Sequence, residues 1–277
     1  MTFIEAAFLG LIQGLTEFLP ISSSAHLRIV GELANWGDPG ATFTAITQLG
    51  TEVAVIIYFW RDITRIIGKW FRHFARSSGI PKGDADVRLG WLIIIGTIPI
   101  VIVGYFAQEQ IRSVFRSLWL VAIVLIVFGV LLGVADRLGR RTRDLTAMTP
   151  RDGILIGLAQ TLALVPGVSR SGATTTAGLA LGYTRPTAAR YSFLLAVPAV
   201  IGSGIFELFH SFSEPMGRYG YAETALATLV AFVIGYAVIA FLMRYIQTRS
   251  FMPFVIYRIT LGVVILALLA FGALQPL

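Results

Sequence analysis

The sequence predicts an all-α polytopic membrane protein made of two inverted-topology repeats, each a re-entrant helix pair followed by three transmembrane helices. Three observations lead there. Apolar residues fill 56% of the 277 positions and charged residues only 13%, with a mean hydropathy of +0.78, far more hydrophobic length than one soluble core could bury. Six apolar stretches are long enough to cross a hydrocarbon layer of roughly 30 Å as helices of roughly 20 residues. Two further apolar regions are interrupted by proline and serine, and they resemble one another.

Taken in order, the first region, 3–33, is broken by Pro20 and the serine run that follows it, so neither half is long enough to span. It carries Glu5, Gln13 and Glu17 and lacks a basic leading segment, which argues against a secretory signal. Spans are expected at 43–60, 89–107 and 118–136. The region 153–182 is then broken by Pro166-Gly167 and by Ser169, Arg170 and Ser171, and spans follow at 190–208, 223–243 and 252–272. Both broken regions read as pairs that enter and leave by one face. The stretches "LIQGLTEFLPISSSAH" (11–26) and "LAQTLALVPGVSRSG" (158–172) share Leu-x-Gln, an apolar run, Pro, and Ser at a matching distance from the Pro, with one residue deleted in the second. A single membrane domain therefore divides into repeats of about 1–145 and 146–277. Because three spans separate the pairs, the second repeat is inverted and the two broken tips can meet inside the bilayer.

A net charge of +7 could suggest nucleic acid, yet the Lys and Arg residues fall in clusters between apolar segments, which is a topology signal. With 61–88, 137–151 and 244–251 inside, inner connections hold fourteen positive residues against four for 1–42, 108–117 and 209–222. Both termini are then expected outside, in a plasma-membrane protein. The run from Arg61 to Arg76 reads as an anchor on anionic headgroups. The chain has no cysteine, which excludes disulfides, thiolate metal sites and a cysteine nucleophile.

The two tips carry the chemistry. Proline ends each first half-helix, and Ser22, Ser23 or Ser24 in one copy and Ser169 or Ser171 in the other can cap the next. Two helix N-termini would turn free N–H groups and positive dipole ends into one buried space, which suits phosphate. Arg170 adds a bidentate donor. Gln13 and Glu17 share a helical face, and Ser23 and His26 lie three apart on the next helix. Ionisable groups inside a membrane cost about 2.5–3.5 kcal/mol on insertion scales, so Glu17, His26 and Arg170 together point to function. A carboxylate can hold a divalent cation against a polyphosphate, a histidine can take a proton, and an arginine can stabilise a transferring phosphoryl group. Glu52, after "TQLGT", either serves this site or pairs with a polar neighbour. Arg258 in "VIYRI" reads as structural, snorkelling from near a span end. His73 and His210 lie in connections and read as solvated.

At these residues the sequence strongly resembles the undecaprenyl-diphosphate phosphatase family, also called bacitracin-resistance proteins. "QGLTEFLPISSSAH" (13–26) is similar to its Glu/Gln-x-x-x-Glu motif with the Ser- and His-containing stretch, and "PGVSRSGAT" (166–174) is similar to its second signature. "QLG" (48–50) and "FLLAVPA" (193–199) extend the likeness. The resemblance implies hydrolysis of undecaprenyl diphosphate to the monophosphate and inorganic phosphate, which recycles the lipid carrier of cell-wall synthesis and confers bacitracin resistance, with Mg2+ or Ca2+ as cofactor. It implies catalytic roles for Glu17, Ser23, His26 and Arg170, with Glu17 also the metal ligand. Substrate contacts are expected from Gln13, Ser22, Ser24, Ser169, Ser171, Gly172 and Thr174. Gln13 stands where many members have glutamate, which leaves the metal more dependent on Glu17. Whether Ser23, His26 or a water attacks phosphorus is left open. The diphosphate would seat between the tips from the outer face with its tail in lipid. The partners implied are this lipid substrate and membrane lipids, with no nucleic acid and a homodimer left open. The rival reading is a prenyl-phosphate flippase or anion transporter using the same inverted repeats.

Overall fold

The structure, a computed structural model, describes residues 2–74, 79–81, 83–107, 117–212 and 217–274. Arg76, most of the connection 108–117 and residues 213–216 lie outside the described residues. Eleven α-helices run through the described residues: α1 Thr2–Thr16, α2 Ser23–Leu33, α3 Gly40–Tyr58, α4 Trp60–His73, α5 Ala85–Phe106, α6 Leu118–Leu138, α7 Pro150–Thr161, α8 Arg170–Ala180, α9 Arg185–His210, α10 Tyr221–Tyr245 and α11 Met252–Ala270.

Six of these (α3, α5, α6, α9, α10 and α11) are long and apolar enough to cross a membrane, and each coincides with a span read from the sequence. Their ends differ by a few residues where polar caps carry the helix past its apolar stretch. Thr184 accepts from the Thr187 N–H and Pro186 sits in the first turn, so α9 starts at Arg185 rather than near 190. Asp84 accepts from the N–H groups of Asp86 and Val87 and starts α5 at Ala85. Lys69 of α4 donates to the same Asp84 carboxylate at 2.9 Å and holds that carboxyl below its ordinary range.

The broken regions form two short pairs. At about 1.5 Å per residue the 15 residues of α1 and the 11 of α2 fall short of a bilayer's width. Within each pair the second helix folds back along the first. Phe8 of α1 meets Trp36, just past α2, edge to face at 5.9 Å. Asp152, in the first turn of α7, accepts from Arg143 at 2.6 Å and from the Tyr183 hydroxyl at 2.6 Å, and Arg143 also donates to the Leu181 carbonyl at the end of α8. A capping box between Thr149 and Asp152, with Pro150 leading, starts α7.

Small residues let the short pairs sink into the bundle. A Cβ on Gly10 of α1 would lie 2.4 Å from the Ala227 carbonyl oxygen of α10, and one on Gly157 of α7 would lie 2.5 Å from the Gly96 carbonyl oxygen of α5. Backbones that close leave no room for a methyl group, which is how membrane helices gain contact where lipid supplies no hydrophobic drive. Gly157→Ala is therefore expected to destabilise the protein by about 1–3 kcal/mol, read as a lower unfolding temperature in detergent. Gly68→Ala on α4, where a Cβ meets nothing within 4 Å, serves as the neutral control.

The connection 61–88 holds a helix that the sequence reading left undescribed. α4 follows α3 almost without a break and buries only Ile66, with Phe71 and Phe74 exposed beside Arg65, Lys69 and Arg72. Such an amphipathic segment suits a membrane interface.

Candidate active site

The two chain breaks meet. Ser22 caps α2 at φ 73°, and its hydroxyl accepts from the Ala25 N–H; Ser169 caps α8 at φ 69°, and its hydroxyl accepts from the Gly172 N–H. Left-handed backbone at a non-glycine residue costs on the order of 1–3 kcal/mol and is kept where surroundings enforce it. Each cap also shares a hydrogen bond with the serine two residues on, Ser22 with Ser24 at 3.2 Å and Ser169 with Ser171 at 3.1 Å. The equivalent caps are thus Ser22 and Ser169, whereas counting from the prolines pairs Ser23 with Ser169. Counting from Gln13 and Gln160 reaches both caps with no deletion. This register makes Ser23 and Arg170 the matching first residues of α2 and α8.

Both of those side chains reach one carboxylate. Glu17 Oε1 accepts from Arg170 at 2.6 Å, and Glu17 Oε2 accepts from Ser23 at 2.5 Å and from the Gln13 amide at 2.7 Å. Ser171 donates to the Glu17 and Leu19 carbonyls at 3.4 Å, and the Gly167 N–H donates to Ser22 at 3.1 Å. Gly167 needs its φ of 99° to turn that N–H toward the first tip.

Arg258 closes the arrangement from α11. It is fully buried, and its guanidinium donates to the Pro20 carbonyl at 2.9 Å, the Gly167 carbonyl at 2.8 Å and the Val168 carbonyl at 3.0 Å. These carbonyls lie where the helices are interrupted and have no helical donor. Arg258 does not snorkel to an interface; it stitches one break to the other. Gly172 is glycine for the same reason, since a Cβ there would lie 2.9 Å from the Arg258 guanidinium.

His26 sits to the side. Its Nδ1–H donates to the Ser22 carbonyl at 2.7 Å, its Nε2 bonds the Tyr257 hydroxyl at 2.7 Å, and the two rings stack at 5.6 Å. Thr174 is buried, donates to the Arg170 carbonyl at 2.8 Å and shares a short hydrogen bond with Ser192. Glu52 of α3 lies 3.8 Å from Arg170 and is 1% exposed. Tyr257 and Ser192 are not legible as site residues in the sequence: the first is marked only by its neighbour Arg258, and the second by nothing.

A cavity of about 530 Å³ opens on the tips. Its polar end is Glu17, Ser22, Ser23, Ser24, Ser169 and Arg170; its walls are mostly apolar, with Ile100, Val101, Leu164, Val200 and Phe206, and also carry Gln48, Ser203 and Glu207. Gln13, His26, Gly172 and Thr174 are not among its lining and support the tips from behind. The shape suits a ligand with an anionic head and a hydrocarbon tail: donors and two helix N-termini for the head, a greasy groove for the rest.

Sequence comparison agrees with that chemistry. The family described as Bacitracin resistance protein BacA matches residues 6–264. The chain belongs to this family. Relatives named undecaprenyl-diphosphatase are 64% identical in Micrococcus luteus, with 99% of this chain and 100% of the relative covered, and 65% identical in Clavibacter michiganensis, with 99% of each covered. A third, named undecaprenyl-diphosphatase 2, from Agrobacterium fabrum, is 57% identical over 99% of this chain and 98% of its own length. The family match spans both tips and every residue that reaches Glu17, in keeping with the resemblance read from the two motifs.

Proposed function

We propose that the protein is an integral membrane phosphatase that hydrolyses undecaprenyl diphosphate to undecaprenyl phosphate and inorganic phosphate, recycling the carrier for cell-wall synthesis and conferring bacitracin resistance. The observation that carries this is the Glu17 carboxylate, hydrogen-bonded on one oxygen to a serine and on the other to an arginine, at the anionic end of a cavity walled mostly by apolar residues. A carrier that only binds the diphosphate needs Arg170 and the helix ends but has no use for an acid on Ser23.

In this reading Arg170 and the N-termini of α2 and α8 hold the terminal phosphate. Arg170 exchanges its bond to Glu17 for bonds to phosphate oxygens, which frees the carboxylate. Glu17 takes the Ser23 proton, Ser23 Oγ bonds to the terminal phosphorus, and the anhydride bond breaks; the departing prenyl monophosphate takes that proton from Glu17, which is a carboxylate again. Water then attacks the phosphoserine with Glu17 as base, Ser23 regains its proton and phosphate leaves. His26, with its Nδ1 and Nε2 engaged by Ser22 and Tyr257, is assigned to holding the α2 cap.

Among the described residues no three His, Asp or Glu side chains stand together to cage a metal. The donors at hand are hard oxygens: Glu17, and the buried Gln13 Oε1 and Glu52 Oε1, neither with a protein partner. They fit a magnesium ion that takes one or two carboxylates and shares substrate phosphates; when bound, such an ion neutralises charge building on the phosphoryl oxygens.

The repeats are inverted in the same reading, and the packing supports it. α1 packs on α10 as α7 packs on α5, while α3 meets α9 and α6 meets α11, the pattern that exchanging two halves would produce. The outer face is assigned to the cavity mouth. The mouth lies at the start of α3 and the ends of α5 and α9, opposite the basic connections 61–88 and 137–151. Both termini share the mouth's side, with Thr2 bonded to Glu223 and Leu274 packed near Leu118.

Purified protein in detergent with undecaprenyl diphosphate and Mg2+ is expected to release inorganic phosphate, and Ser23→Ala to reduce that release by about 10²-fold or more. Movement of the lipid between vesicle leaflets without phosphate release would favour the transporter. For orientation, a cysteine in place of the exposed Arg141 is expected to react with an impermeant probe only after the cells are opened.

A further inference from the structure

The motif around Glu17 has a gap in it. Gln13, which hydrogen-bonds Glu17, is an amide and cannot supply the charge that a divalent cation needs. A different element brings that charge. Glu52 comes from the middle of α3, in the polar run Thr47, Gln48, Thr51 and Glu52 within an otherwise apolar span. It is 1% exposed, and its Oε1 has no partner although it lies wholly inside the protein. Its other oxygen lies 3.8 Å from Arg170, the guanidinium that also binds Glu17.

An ionised carboxyl with an orphaned oxygen at bilayer depth is expensive unless something completes it. Two carboxyls here share one guanidinium, while the other nearby arginine, Arg258, is spent on the backbone carbonyls of Pro20, Gly167 and Val168. A void of about 10 Å³, close to the size that admits one water molecule, has Glu17, Glu52, Arg170, Ser171 and Ser192 on its polar side and is closed by Phe18, Val55, Phe193 and Ala196. Space and an unused carboxyl oxygen therefore coincide beside the carboxylate that meets the substrate.

We propose that Glu52 is the second carboxylate ligand of the divalent cation, replacing from α3 the acid that Gln13 does not provide on α1. This rests on the reading that a cation works at Glu17. Between the two carboxylates the ion would face the cavity's anionic end, where substrate phosphate and water complete its oxygen shell.

The test uses Mn2+ as the probe, bound to the full-length protein in detergent and followed by electron paramagnetic resonance without substrate. Glu52→Gln is expected to weaken Mn2+ binding by about tenfold or more, and Gln13→Glu added to it is expected to restore most of the affinity. Unchanged Mn2+ affinity in Glu52→Gln overturns the proposal, even if phosphate binding falls, because that pattern makes Glu52 a positioning residue for Arg170. If Glu52→Gln fails to fold, Glu52→Asp keeps a carboxylate one methylene shorter; it must still weaken Mn2+, and wild-type affinity there overturns the proposal as well. A wild-type protein that binds no Mn2+ removes the cation reading itself, a failure distinguishable from the failure of Glu52 alone.

Discussion

Glu17→Gln is expected to lower the rate of phosphate release at saturating substrate by about 10²- to 10⁴-fold and to leave the protein extractable and monodisperse in detergent. Glutamine keeps the volume and can still hydrogen-bond Ser23 and Gln13. It cannot take a proton from Ser23, and it leaves Arg170 without the charge that parks it beside that serine. The loss should appear in turnover more than in apparent affinity, because Arg170 and the two helix ends that grip phosphate remain. Turnover within a few-fold of wild type would remove Glu17 from the chemistry. Because the substitution frees a partly buried arginine, the unfolding temperature is measured alongside, and a protein that unfolds on purification would show that the ion pair serves the fold.

Arg258→Met is expected to fail the other way, by loss of folding. Methionine matches much of the arginine stem but leaves the carbonyls of Pro20, Gly167 and Val168 without their donor. Each orphaned buried group costs about 1–3 kcal/mol, and the three together approach the whole stability of a typical domain. A sharp fall in unfolding temperature or yield is the expected result, with Arg258→Lys intermediate because a single ammonium reaches fewer of the three. A stable but inactive Arg258→Met protein would instead place this arginine in the chemistry. The contrast matters because the sequence presents Arg170 and Arg258 alike as intramembrane arginines. One lines the cavity, and the other lies behind the tips with no exposure at all.

That contrast also shows what can be read along a chain. Hydrophobic length reveals the six spans because lipid imposes it, and proline reveals the two breaks because it stops the helical ladder whatever surrounds it. The importance of Glu17 and Arg170 is legible, with His26, because charge at bilayer depth is costly enough to need a reason; Ser23 enters only as a possible helix cap and through the resemblance. Arg258 was misread as a snorkelling group because its carbonyl partners come from breaks far away in sequence, and unpaired backbone leaves no trace in residue type. Ser22 rather than Ser23 matches Ser169 because both caps adopt a left-handed backbone, a matter of φ that a count from the proline cannot supply. His26 reads in the sequence as a group that can carry a proton, and the partners of its Nδ1 and Nε2, the Ser22 carbonyl and Tyr257, are set by the fold. A residue's type states what it can do, and only its direction states which partner it does it with.

The central claim is that the two tips grip one diphosphate between Ser23 and Arg170. An experimental structure of the protein with a non-hydrolysable prenyl methylenediphosphonate tests it most directly. The account predicts the terminal phosphonate within hydrogen-bonding distance of both side chains, the N-termini of α2 and α8 pointing at it, and the tail along Ile100, Val101 and Phe206. A head group bound at one tip alone, or seated away from Glu17 with Arg170 still paired to it, would contradict the account.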